Sequence, residues 1–128
     1  MEVPVLRGTA GMAAFYDANK ASKEHRGWAM GAFITDQDGE PLTLDFEVKL
    51  CENKAGEERS EWSRGVAGSA LTIILSGTYE MIFAPDGEKG EVITKVLTEG
   101  MAAFWENSVP HRWRVITDTK LVCIRRLS

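Results

Sequence analysis

Apolar and polar residues alternate along much of this chain, which is typical of β-strands with one buried face. In residues 42–50 every second residue is apolar. Thr78–Phe83 shows the same period and places Tyr79, Met81 and Phe83 on one face. Further β-rich runs cover residues 28–34, 71–75, 92–97, 102–105, 113–116 and 121–124.

Turn-forming segments rich in Gly, Pro, Asp and Asn separate these runs, at residues 36–41, 53–56, 85–90, 98–100 and 107–110. Many short strands at regular spacing predict an all-β fold, an antiparallel barrel or sandwich. The one helix that the sequence predicts lies near residues 11–23, where Ala and Met cluster.

Length and composition narrow the class of protein. A chain of 128 residues with 44% hydrophobic and 27% charged residues fits one folded domain, residues 1–128. The net charge of −4 argues against a nucleic-acid partner. No apolar stretch is long enough to cross a membrane, and the basic start of a signal peptide is missing, so we expect a cytoplasmic protein. Cys51 and Cys123 form no CxxC pair, and we expect two reduced strand residues.

Two glycine-anchored segments resemble the two conserved motifs of the cupin family. In the second, Gly100 and His111 stand at the spacing of that motif's first glycine and its histidine. The motif's proline, second glycine and asparagine fall on Glu106, Ser108 and Val115. In the first, Gly56 suits the start, and the apolar run ending at Gly77 suits the end. Counted from Gly56, the motif's two histidines fall on Trp62 and Arg64; counted back from Gly77, its glutamate falls on Ala70.

This resemblance, which covers roughly residues 42–127, implies an all-β fold: an antiparallel cupin-type barrel, or jelly roll. Residues 1–41 would then add a short helical or irregular N-terminal segment. The chain looks most similar to small single-domain cupins of unassigned function with degenerate metal-binding motifs.

The resemblance also bears on metal. Cupin enzymes typically hold one divalent metal with three histidines and a glutamate, but His25 and His111 are the two histidines of this chain. A three-histidine site is therefore excluded, and no cofactor is predicted. A weak divalent-metal site through His111 with Glu58 or Glu61 is left open.

Aromatic residues fall in the segments that line the barrel by resemblance, and His111 shares a strand face with Trp113. The aromatic side chains either fill the core or form the wall of a ligand pocket. His111 is either a core histidine bonded to a backbone carbonyl or a ligand contact. The candidate ligand-binding residues are Trp62, Arg64, Thr72, Tyr79, Trp105, His111 and Trp113.

The function that these observations favour is binding of a small organic molecule in an aromatic-lined barrel without a tight metal. The alternative is an enzyme with a degenerate site, either a metal-dependent dioxygenase or isomerase, or a metal-free catalyst using His111 as acid or base. A homodimer is expected because cupins often dimerise through N-terminal strands and sheet faces, and the apolar run at 28–34 could serve.

Overall fold

The computed structural model describes residues 2–65 and 67–128. Its elements in chain order are β1 (Glu2–Val3), β2 (Val5–Gly8), β3 (Gly11–Ala14), α1 (Ala18–Glu24), β4 (Trp28–Met30), β5 (Thr35–Asp36), β6 (Phe46–Asn53), β7 (Glu58–Ser63), β8 (Ser69–Ser76), β9 (Thr78–Phe83), β10 (Ile93–Thr98), β11 (Ala102–Glu106), β12 (His111–Val115) and β13 (Thr119–Arg126). The predicted all-β architecture is confirmed.

Two antiparallel sheets make up the barrel. One has five strands in the order β11-β8-β13-β6-β4, and the other has four in the order β10-β9-β12-β7. Strands that follow one another in sequence often lie in opposite sheets, as in a jelly roll. Buried residues of both inner faces meet between the sheets: Ala70, Ile74, Trp105 and Leu121 from the larger sheet, and Tyr79, Met81, Leu97 and Val115 from the smaller.

Gly77 carries the chain from one sheet to the other. It lies between β8 and β9, with a φ of +97° that favours glycine. A Cβ at this position would lie 2.2 Å from the backbone oxygen of Asp118, where the chain enters β13. The glycine that marks the end of the first motif is thus required by backbone conformation and by close packing.

The N-terminal segment forms a second, smaller core. Val3, Ala21 and Ile34 are buried together there, and Met30 and Leu42 pack against them. Helix α1 begins after Asp17, whose carboxylate accepts a hydrogen bond from the backbone N–H of Lys20 at 3.0 Å. Strands β2 and β3 pair with each other in a hairpin, and β1 pairs with β5.

The strand predicted at residues 42–50 begins and ends later in the chain than predicted. Its apolar residues also lie on the outer face of the sheet, not on the face that lines the cavity. Strand β6 begins at Phe46, while Leu44 remains 67% exposed outside it. Lys49 and Cys51 line the space between the sheets. Leu50 instead lies beside Ser22 of α1. Helix α1 thus lies near the outer face of β6 at Leu50, a tertiary contact that periodicity alone does not reveal, whereas Phe46 on the same face remains 40% exposed.

Two other predictions near the N-terminus need correction, and one strand further along the chain was missed. The helix predicted over residues 11–23 is confined to Ala18–Glu24, because Gly11–Ala14 forms a hairpin strand. The run 28–34 is a strand only at Trp28–Met30, and Ile34 is buried within its own chain. Ala29 and Ile34 of that run are therefore not available to a dimer surface. Strand β7 was not predicted, since Glu58–Ser63 is dominated by polar residues.

Candidate functional site

A cavity of about 200 Å³ lies between the sheets at one end of the barrel. Four of its lining residues are aromatic: Trp28, Tyr79, Trp105 and Trp113. The other lining residues are Lys49, Cys51, Asn53, Arg59, Ser63, Thr72, Met81, His111, Leu121, Cys123 and Arg125. Four aromatic side chains are thus set among other apolar, polar and charged groups, which is typical of a small-molecule site.

His111 begins β12 and is held by its own backbone neighbourhood. Its Nδ1 lies 3.0 Å from the carbonyl oxygen of Val109. A carbonyl only accepts, so Nδ1 carries the hydrogen and Nε2 of the neutral ring is an acceptor. Burial lowers the pKa of His111, and the positive charges of Arg59 and Arg125 lower it further against the opposing effect of the Val109 carbonyl. The imidazole is therefore neutral near pH 7.

Of the two alternatives that the sequence left open for His111, the bond to a backbone carbonyl is present, and the ligand contact stays a prediction. The ring bonds a backbone carbonyl, as expected of a core histidine, and it also lines the cavity. With no carboxylate on Nδ1, this histidine lacks the orienting acid of a catalytic triad. Its available chemistry is acceptance of a hydrogen bond or of a proton from a ligand.

Trp105 packs beside His111, with ring centroids 5.0 Å apart, and is 8% exposed. Its indole Nε1 is buried and has no hydrogen-bond partner in the described part of the chain. Leaving such a donor unpaired costs about 1–3 kcal/mol.

Trp28 lies against two cations at the side of the cavity formed by the larger sheet. The guanidinium carbon of Arg125 is 4.8 Å from its ring centroid, and Lys49 Nζ is 5.4 Å away. Arg125 also donates from Nε to Glu47 at 2.7 Å. Cation–π contacts and an ion pair therefore fix this corner of the site.

The remaining titratable groups offer little nucleophilic chemistry. Burial raises the pKa of Tyr79 far above its usual value, and it also raises the pKa of the Cys51 thiol. Both groups stay protonated near neutral pH. A thiolate or phenolate nucleophile is therefore not formed at these two positions.

Five of the seven candidate residues are brought together by the structure: Thr72, Tyr79, Trp105, His111 and Trp113 line the cavity. Trp62 and Arg64 do not, which corrects that part of the prediction. Trp62 lies under Arg112, whose guanidinium carbon is 4.8 Å from its ring centroid, and Arg64 is exposed. The reason is the pairing of β7, whose Arg59 and Ser63 face the cavity in their place.

The cavity does not fit the metal that cupin enzymes hold. His111 is its only histidine, and no aspartate or glutamate of the described residues lines it. Glu58 and Glu61, the partners left open by the sequence, are exposed and lie outside the lining. Arg59 and Arg125 add positive charge beside His111. Residues 2–65 and 67–128 contain no group of three or more His, Cys, Asp or Glu side chains arranged to hold a metal.

Sequence reasoning missed Trp28, Lys49, Arg59 and Arg125. Lys49 occupies an inward position in a strand whose apolar residues suggested the opposite face, and Arg59 lies in a strand that was not predicted. Trp28 comes from the N-terminal segment, whose path no motif predicted. The one usable signal was the alternation of β13, which places Arg125 on the same face as Leu121 and Cys123.

Comparisons with known proteins agree with this geometry. No family model matches the chain, and no curated protein does. Among solved structures, a conserved protein of unknown function from Streptococcus pyogenes shares 19% identity at a TM-score of 0.55, over 70% of each chain. An RmlC-like cupin protein from Desulfovibrio desulfuricans shares 25% identity at 0.52, over 66% of this chain and 74% of that one.

The chain has a cupin fold. A further cupin-fold match is a variant of oxalate decarboxylase from Bacillus subtilis, at 13% identity and a TM-score of 0.58. This chain aligns over 70% of its length with 23% of that enzyme. The two proteins share their architecture. The residues that line the barrel of this chain are those that its own structure places there. In the described residues, no helix is long and apolar enough to span a membrane.

Proposed function

We propose that this cupin-fold protein binds a small organic molecule in the barrel cavity without a tightly held metal. The observation that carries the proposal is the cavity wall, in which three indoles and a phenol surround polar groups. Burying an aromatic face against a flat ligand contributes about 0.5–1.5 kcal/mol beyond the area term. A hydrogen bond to His111 adds about 1 kcal/mol net.

Tryptophan fluorescence tests this proposal, because Trp28, Trp105 and Trp113 line the cavity and Trp62 does not. Small acids, sugars and aromatics are titrated into the protein, and we expect a saturable change with at least one class. Trp62→Phe should retain that change, whereas Trp113→Phe should reduce it. His111→Ala should weaken binding by about fivefold, the equivalent of one hydrogen bond, and His25→Ala serves as its control.

Two results would count against binding. One is that no compound changes the fluorescence of the protein. The other is that His111→Ala lowers the melting temperature by ten degrees or more while ligands have no effect, which would make His111 and the aromatic rings core residues only.

The enzyme alternative has one observation in its favour. The hydrogen bond to Val109 fixes the tautomer of His111, and its lowered pKa leaves Nε2 free to accept a proton near pH 7. This favours metal-free proton transfer over the metal-dependent dioxygenase or isomerase. Following the bound compound by proton NMR during the same titrations separates a binder, which leaves it unchanged, from a catalyst.

We also propose a homodimer in the cytoplasm. The hairpin of β2 and β3 and the residue that follows it display Leu6, Met12 and Phe15, which are 65%, 45% and 75% exposed. Exposed apolar groups of this size often mark association surfaces. Light scattering should give twice the chain mass of 14.2 kDa; a particle of single mass at all concentrations tested would exclude the dimer.

A further inference from the structure

The cavity carries an imbalance of charge. Three cationic side chains line it, Lys49, Arg59 and Arg125, while no carboxylate of the described residues does. The whole chain has a net charge of −4, so this concentration of positive charge runs against the overall balance.

Only one of the three cations is neutralised within the described residues. Arg125 is paired with Glu47, whereas Lys49 and Arg59 form no ion pair in residues 2–65 and 67–128. The two come from different sheets, since Lys49 lies on β6 and Arg59 on β7 opposite Trp113. Arg59 is exposed and Lys49 is half-buried, so an anion that enters the cavity can reach both charges.

Two further features of the site bear on the nature of the guest. Burial lowers the pKa of His111, and the positive charges of Arg59 and Arg125 act in the same direction, so both arginines lie close enough to influence a group that lines the cavity. The aromatic walls require that the rest of the guest be flat or apolar.

We infer that the ligand of this cavity is a small organic carboxylate with a flat or apolar body, its carboxylate held by Lys49 and Arg59 and its body against the indoles. The inference rests on the proposed function and names its ligand class. A volume of about 200 Å³ lies below that of drug-sized pockets, so a single ring or a short chain fills it.

Pairs of a carboxylic acid and its amide, which share the same apolar body, test the effect of the ligand's negative charge on binding. Benzoate and benzamide, cyclohexanecarboxylate and its amide, and butyrate and butyramide are titrated by calorimetry and fluorescence. We expect the acid of at least one pair to bind about tenfold or more tightly than its amide, with an affinity that falls as salt is added. Inorganic phosphate is titrated in parallel as an anion without an apolar body.

Substitution of the cations supplies the second arm. Arg59→Gln and Lys49→Met should each weaken the acid by about three- to tenfold and leave the amide unchanged. Arg64→Gln and Lys95→Met are the controls, because Arg64 is exposed outside the cavity and Lys95 lies on the exposed edge strand β10. Thermal melts of all four variants establish that they remain folded.

The outcomes separate the two proposals. Equal binding of acid and amide, unaffected by Arg59→Gln and Lys49→Met, would overturn the carboxylate inference and leave the binding function standing. Phosphate binding as tightly as the acids would overturn the assignment to carboxylates with an apolar body. If no acid and no amide binds while another class of compound does, this inference fails and the proposed function stands. If no compound of any class binds, both fail.

Discussion

Gly77→Ala should destabilise the protein by about 3 kcal/mol or more, a large part of the 5–15 kcal/mol that holds a typical domain folded. Two costs add at this position. A φ of +97° is strained for alanine, at about 1–3 kcal/mol. The new Cβ would also lie 2.2 Å from the backbone oxygen of Asp118 and 2.6 Å from Oγ1 of Thr119, and overpacking of this kind costs about 1–3 kcal/mol.

Gly87→Ala is the matched control, because Gly87 has a similar φ of +95° but nothing lies within 4 Å of a Cβ there. Only the backbone strain applies, offset in part by the lower entropy of the unfolded alanine chain, so a loss of about 1 kcal/mol is expected. Urea unfolding monitored by circular dichroism measures both variants. Equal losses of unfolding free energy in the two variants would show that the backbone between β8 and β9 relaxes around the new Cβ. The close approach to Asp118 would then add no cost.

The parts of the fold that sequence predicted well are those where local pattern and tertiary environment agree. Thr78–Phe83 is a strand with the predicted bounds, and Tyr79 and Met81 are buried on its inner face. Gly77 was recognisable because a backbone with positive φ excludes most other residues. Signals of this kind are local, so a single sequence contains them.

The errors in the fold arise where a distant segment decides which face of a strand is covered. The alternation in residues 42–50 is real, but Leu42 and Leu50 lie toward the N-terminal segment, and Leu44 and Phe46 remain exposed. Lys49 lines the cavity instead. A period of two identifies two faces and does not say which of them points inward. The polar strand β7 was missed for a related reason, since its inner face lines a polar part of the cavity.

The same distinction applies to the site. The rings of Tyr79, Trp105 and Trp113 could be predicted, because motif position and apolar character both placed them inside. Lys49 and Arg59 could not, because an isolated charged residue in a strand is usually a solvated one. The cations become informative only when the fold brings them to one cavity without a carboxylate beside them.

Met81→Ala should destabilise the protein by about 2–5 kcal/mol and should also change which ligands fit. Met81 is 2% exposed and belongs to the core between the sheets. It also lines the cavity beside Trp113, its partner on the neighbouring strand β12. Truncating a buried methionine removes its transfer free energy and leaves a void that the barrel fills only in part. Because that void opens into the ligand cavity, a larger guest should occupy it. We therefore expect the variant to gain affinity for naphthoate relative to benzoate, and naphthoate to raise its melting temperature more than that of the parent protein.

Ile82→Ala is the control for this prediction, since Ile82 is the next residue of β9, is half-buried and does not line the cavity. It should cost less stability and leave the ratio of naphthoate to benzoate affinity unchanged. Thermal melts with and without each acid measure stability and ligand preference together, because a ligand that binds the folded state raises its melting temperature by mass action. A Met81→Ala protein that is destabilised but keeps the parent's preference would place Met81 in the core and remove it from the ligand site. A variant with unchanged stability would show that the barrel collapses around the missing side chain.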